Sequence, residues 1–158
     1  MNREIKFRVW DSVHNKMIYL KDCVSFGGIG VFDVFDVYEL YLEENVLKCR
    51  GYNEYDDDFG GGISDETDLP IMEYTGLKDK NGVEVYENDI IDIHQTVNGY
   101  NQFVIQYDNY KFSARYYNQK TKQILGWYQY DLDELFEINE TEKEIEVIGN
   151  IYEDKEVS

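Results

Sequence analysis

From Leu69 onward the chain is a succession of short apolar and aromatic runs, broken by Asn-Gly, Asp-Asn and Asn-Gln-Lys-Thr turn material, and that punctuation excludes long helices. The runs are Leu69–Tyr74, Val83–Tyr86, Ile90–Ile93, Gln102–Tyr107, Phe112–Tyr117 and Ile124–Tyr130. Asn81-Gly82 is the pair expected to form a type I′ turn, where both central residues need positive φ. Short strands at this spacing predict a meander closing into a small SH3-like barrel. Asp131-Leu132-Asp133-Glu134 sets an N-cap acid three residues before a Glu, which predicts one short helical turn carrying Leu135 and Phe136 to the core. Glu144-Ile145-Glu146-Val147 alternates strictly, and Gly149 interrupts the period before Ile151-Tyr152, so a last strand with a bulge at Gly149 is expected.

The first part of the chain also reads as strands. Ile5-Lys6-Phe7-Arg8-Val9-Trp10 alternates apolar with basic residues, the period of a strand with one buried face, and Asp11–Asn15 supplies the turn before a partner strand at Lys16–Leu20. Gly27-Gly28-Ile29-Gly30 lacks the spacing and the following Lys-Ser or Lys-Thr of a phosphate loop and reads as a turn. Val31–Leu42 is rich in Val, Phe and Tyr and is expected to be a strand, although Asp33, Asp36 and Glu39 recur at a spacing a helix would also accept. Val46–Cys49 is a return strand. Asn53–Asp68 combines seven acids, no base and Gly60-Gly61-Gly62, and is expected to be a mobile loop. The predicted organisation is mainly β: an N-terminal β subdomain over 1–68, ending in that loop, and a C-terminal barrel over 69–158.

Charge is the second constraint. The net charge is -18, and Asn53–Asp68 with Asp131–Ser158 carries -16 of it; Gln95–Tyr130 instead holds Lys111, Arg115, Lys120 and Lys122 against Asp108. No apolar run approaches the roughly 20 residues that cross a membrane as a helix, and the opening residues lead into a charged strand and not a signal-peptide core, so the cytoplasm is the expected location. Cys23 and Cys49 are expected to be reduced there, and with no further Cys or His close in sequence they do not form a zinc set.

Three stretches, taken in order, resemble the YopX-like family of phage and prophage proteins: Arg3–Asp11; Tyr74–Gly82 together with Glu84–Ile91; and Glu146–Glu153. The resemblance implies an all-β fold, self-association and no assigned reaction. Two positions depart from the family pattern. Asn88 stands where the family usually has Gly in an E-G-D-I turn, and Glu153-Asp154-Lys155 replaces N-P-E. Asn tolerates left-handed backbone, so the turn is expected to survive.

No catalytic pattern emerges. Asp56-Asp57-Asp58 would need a fixed frame to hold a hard cation, and an EF-hand begun at Asp56 would place Thr67 where a closing Glu is required. His14 and His94 have no nucleophile in an activating pattern, and carboxylate pairs such as Asp89 and Asp92, or Glu84 and Glu87, arise by chance in so acidic a chain. A metal-dependent hydrolase is therefore the least supported reading, and no cofactor is expected. Two binding readings remain. One is an interaction module whose acids Asp56, Asp57, Asp58, Asp65, Glu66 and Asp68 engage a basic host or phage protein. The other uses Lys111, Arg115, Tyr116, Lys120, Lys122 and Trp127 within 95–130 as a stacking surface for single-stranded nucleic acid. Four bases opposed by so many acids leave little for phosphate neutralisation, so no duplex DNA binding is expected. A homo-oligomer is.

Overall fold

A computed structural model describes residues 4–12, 15–19, 30–31, 37–43, 46–55, 62–138 and 144–154, with the backbone alone at 30–31, 37–42, 46–47, 49–55, 62–68, 127–128, 138 and 154. The chain divides into two compact units, Lys6–Met72, and Glu73–Ser158 with Met1–Ile5.

In the first unit β1 (Phe7–Asp11) and β2 (Lys16–Tyr19) form the expected hairpin, Arg8 opposite Tyr19 and Asp11 opposite Lys16. The Trp10 N–H donates to the Pro70 carbonyl at 3.1 Å. Alternation correctly marks β1 as a strand, but not its exposed face: Arg8, Val9, Trp10 and Asp11 are all buried, and the Arg8 guanidinium lies against Met72 Sδ. A second sheet runs β3 (Gly30–Val31), β4 (Val37–Glu43), β5 (Val46–Tyr55) and β6 (Gly62–Leu69), antiparallel throughout. The strand expected over Val31–Leu42 is thus present at Gly30–Val31 and from Val37; residues 32–36 lie outside the described residues, as do Cys23, His14 and the Gly27–Gly30 segment short of Gly30.

Across Asn53–Asp68 the expectation of irregular backbone is corrected. Asn53–Tyr55 closes β5 and Gly62–Asp68 belongs to β6, with Asn53 opposite Asp65, Tyr52 opposite Glu66 and Arg50 opposite Asp68. Composition speaks for side-chain burial, whereas a ladder satisfies backbone donors and acceptors whatever the side chains are. Residues 56–61, which include Asp56, Asp57 and Asp58, lie outside the described residues.

The second unit opens on β7 (Ile71–Lys78), which starts in the first unit and pairs with β8 (Glu84–Tyr86). There follow β9 (Asp89–Val97), β10 (Tyr100–Asp108), β11 (Lys111–Asn118) and β12 (Gln123–Asp131), the meander expected from the turn spacing. After α1 (Leu132–Ile138), β13 (Glu146–Asn150) pairs with β9, giving a five-stranded curled half-barrel in the order β12-β11-β10-β9-β13. The architecture is mainly β, as the sequence predicts. Val85, Ile91, Ile93, Phe103, Ile105, Ala114 and Tyr116 fill one face of this unit with Leu132, Leu135, Phe136 and Ile145; a smaller cluster of Ile90, Val104 and Tyr117 packs with Ile124 and Ile151. The Asp131 carboxylate caps α1, accepting the Asp133 N–H at 3.2 Å, and Leu135 and Phe136 reach the core as expected.

Two details differ from the sequence reading. The Asp79–Gly82 turn is not type I′: Gly82 has φ 79° but Asn81 is not at positive φ, and the Gly82 N–H donates to the Asp79 carbonyl. The Asp79 carboxylate instead accepts the Asn81 and Val83 N–H groups at 2.8 and 2.9 Å, which holds a type I turn closed by a left-handed glycine. The register of β13 does shift between Val147 and Gly149, as the expected bulge requires. The strand then ends at Asn150, whose side chain accepts the Tyr152 N–H at 3.0 Å and caps α2 (Ile151–Asp154) where further strand was expected.

Candidate functional site

The second and third family-like stretches meet in the fold. Buried Asp79 accepts a third backbone donor, the Val147 N–H at 3.0 Å, while the Lys80 N–H donates to the Ile145 carbonyl. Buried Asp89 accepts the Tyr86 N–H at 2.8 Å and the Asn150 side-chain amide at 3.4 Å. Between them Asn88 is left-handed at φ 66°; its N–H donates to Ile105 and its carbonyl accepts from Ile151. The E-N-D-I turn therefore survives without glycine, as expected. Thr75 Oγ1 ties the same region to the Val85 carbonyl. Every one of these polar groups is committed to backbone or to a buried partner, so the motif residues build a junction between the strands.

Glu87, at the same turn, is partly withdrawn from water. Burial pushes its carboxyl above the ordinary value, against the opposing effect of the Glu73 and Tyr107 N–H groups it accepts, with the Glu73 charge adding to the rise. Burial, then the Glu87 charge, likewise raises the Tyr152 phenol.

A polar cluster that sequence reading missed lies on β9, β13 and the turn after β7. Glu146 pairs with the Lys80 ammonium at 2.5 Å and with His94 Nε2 at 3.1 Å, and Lys80 Nζ is 3.1 Å from the same ring nitrogen. Lys80, then His94, holds the Glu146 carboxyl below its ordinary value. His94 is left-handed at φ 54°, its N–H donating to Asp92 Oδ1 at 2.7 Å, and Asp92 also accepts from the Asn101 side chain. The only signal in the sequence is the Asp92-x-His94 spacing, since an Asp side chain readily accepts the N–H two residues on. Such an exposed ion-pair network contributes little stability. Among the described residues, no group of His, Cys, Asp and Glu is placed to hold a metal ion.

The sequence-predicted site residues are dispersed. Asp65, Glu66 and Asp68 lie along β6. Of the stacking-surface candidates, Tyr116 is buried in the core, its hydroxyl 2.8 Å from the Tyr130 hydroxyl, and burial followed by that hydrogen bond raises its phenol. Lys111 pairs with Asp131 at 2.7 Å and Arg115 with Asp108 at 2.5 Å. The hydrogen bond between Lys111 and Asp131 raises the amine and lowers the carboxyl. Lys120 and Lys122 are exposed in the β11–β12 turn, and Trp127 lies on β12. Among the described side chains of the aromatic stretch, Phe103, Tyr116 and Tyr117 are buried, whereas Tyr100, Tyr107 and Tyr110 are exposed, the Tyr100 ring lying 4.5 Å from that of Tyr116. Among the described residues, no helix is long and apolar enough to cross a membrane.

No curated protein matches the chain. Among solved structures it is similar to the crystal structure of protein EF1440 from Enterococcus faecalis, at 21% identity over 99% of each chain with a TM-score of 0.51, a likeness of fold. A family model described as YopX protein matches residues 6–157, nearly the full length, and the chain belongs to the YopX protein family.

Proposed function

We propose that the chain is a non-enzymatic phage or prophage accessory protein, an interaction module whose acidic surface engages a basic segment of a host or phage protein. One observation carries the reading. Residues 73–158 hold 18 acids against 8 bases, and Lys80, Lys111 and Arg115 are each held by an acid. The surplus acids therefore set the field a partner meets. The junction carboxylates Asp79 and Asp89 serve the fold, which supports binding over chemistry. The single-strand reading has less support, because Tyr116 offers no exposed ring and two of its four bases are neutralised in place.

Fluorescence anisotropy tests the proposal, using labelled deca-arginine, deca-glutamate, single-stranded and duplex oligonucleotides with the full chain. The basic peptide alone should bind at physiological salt, and more weakly as salt rises. Submicromolar oligonucleotide binding with the same salt dependence would overturn it. Self-association belongs to the same proposal, since β12 and β13 stand at the ends of the five-stranded sheet and such edges are commonly covered by a symmetric neighbour. Light scattering should give a multiple of the chain mass; a monomer at high micromolar concentration would contradict it.

A further inference from the structure

The β10–β11 hairpin turns through Asn109 and Tyr110, at φ 51° and 67°, with Asp108 opposite Lys111. Two central residues at positive φ make this a type I′ turn, whose second position strongly favours glycine. For a bulky side chain that conformation is an outlier, and such outliers persist where they serve something beyond local folding. Packing does not explain it here. Tyr110 is 96% exposed, the most exposed of the large apolar side chains described. Tyr107 is 48% exposed and meets Phe112 edge-on with ring centroids 5.0 Å apart. The hairpin tip therefore presents two accessible tyrosine rings on a paired ribbon.

The charges around these rings choose the partner. Asp108 is in the turn itself, Asp131 lies beside Lys111, and Asp133 and Glu134 are exposed in the first turn of α1. The two bases, Lys111 and Arg115, are bound to Asp131 and Asp108, so Asp133 and Glu134 are the acids in excess, and Glu134 acts on Lys111 as well. An exposed aromatic face attracts a cation through its quadrupole, and surrounding carboxylates steer and retain it. An acidic segment or a phosphate backbone is repelled by the same field. Tyrosine is also among the residues that most often anchor protein interfaces. We infer that the tip of the β10–β11 hairpin, with Tyr110 and Tyr107 as its contact rings and the net negative charge of Asp108, Asp131, Asp133 and Glu134 over Lys111 and Arg115 at this end of the sheet, is the docking surface for an arginine-containing basic segment of a partner protein. This rests on the acidic-module reading and assigns it a place distinct from the acids of Asn53–Asp68.

The test is an NMR titration of the isotope-labelled full chain with deca-arginine, paired with affinities for wild type and Tyr110→Gly. Glycine suits the turn, so this variant should fold. Amide shifts should concentrate at residues 107–112 and at the start of α1, and Tyr110→Gly should weaken binding about fivefold or more. A second variant, Asp65→Asn with Glu66→Gln and Asp68→Asn, should leave that footprint in place. If deca-arginine binds with unchanged affinity in Tyr110→Gly, or shifts only residues of β5 and β6, the docking assignment is overturned while the acidic-module reading stands. If wild type does not bind the peptide at all, both fall.

Discussion

The two hairpin turns that flank β10 share one backbone conformation and use it to opposite ends. Before β10, Asn98 and Gly99 sit at φ 53° and 85°, with Val97 opposite Tyr100. Here the turn follows local preference and faces inward: the Asn98 amide donates to the Tyr116 hydroxyl at 3.2 Å and the Tyr130 hydroxyl at 3.0 Å, knitting the turn to the core. After β10, Asn109 and Tyr110 take the same path, but Tyr110 defies the preference and projects to solvent. At the first turn the backbone cost of positive φ is avoided by glycine and the side chain beside it strengthens the fold. At the second the cost is accepted, and the Tyr110 side chain is left almost wholly exposed. Departures from local preference are expected at functional or strained sites, and Tyr110 is the departure on which the docking proposal rests.

The contrast supposes that the fold is held elsewhere, and the largest expected effect tests that supposition. Asp79→Ala strands three backbone donors at the junction, so it should lower stability by about 3 kcal/mol in urea unfolding. A loss under 1 kcal/mol would mean that the junction is not where the fold is secured. Next, Gly99→Tyr copies the second turn onto the first. A Cβ at Gly99 meets no atom within 4 Å, so the cost is conformational and should be about 1 kcal/mol. A larger loss would show that this turn tolerates an aromatic less well than the tip does.

The smallest expected effects are on pH dependence and separate buried from exposed carboxyls. The raised Glu87 carboxyl contributes stability that is fully present below its unfolded value and is lost as pH rises through its higher folded value. Glu87→Gln should therefore remove a decline in stability that wild type shows above about pH 4.5, seen as a flatter melting temperature from pH 4 upward. Glu146 has the opposite sign: its depressed carboxyl contributes above its unfolded value and the contribution is lost as pH falls through the folded one. Glu146→Gln should therefore lower stability slightly in the neutral region and match wild type at the acid end, which flattens the acid limb.

The strands of the half-barrel were legible because their apolar runs and turn residues are local properties. So was α1, where Asp131 caps and Leu135 and Phe136 face inward. The junction was legible only as three separated motifs, because the bonds from Val147 to Asp79 and from Asn150 to Asp89 join distant parts of the chain. The same distance hid the Lys80–Glu146 pair. Acid content concealed β6, since its pairing with β5 is a backbone matter. Tyr116 read as a stacking surface because basic neighbours were counted without strand parity; it shares the buried face with Phe103 and Ile105. Asn81-Gly82 misled because the Asp79 carboxylate captures the turn's N–H groups, while Asn98-Gly99, with no such acid before it, took the expected form. Tyr110 could be found only once its φ and exposure were in hand.

The urea midpoint of Tyr110→Gly in the full chain tests most directly whether the tip serves the fold or a partner. Relief of left-handed strain exceeds the added freedom of the unfolded chain, so the variant should be more stable than wild type by about 0.5 kcal/mol, with an unchanged denaturant slope. A variant less stable than wild type by 1 kcal/mol or more would show that Tyr110 holds the hairpin together, and would contradict its assignment to an outside partner.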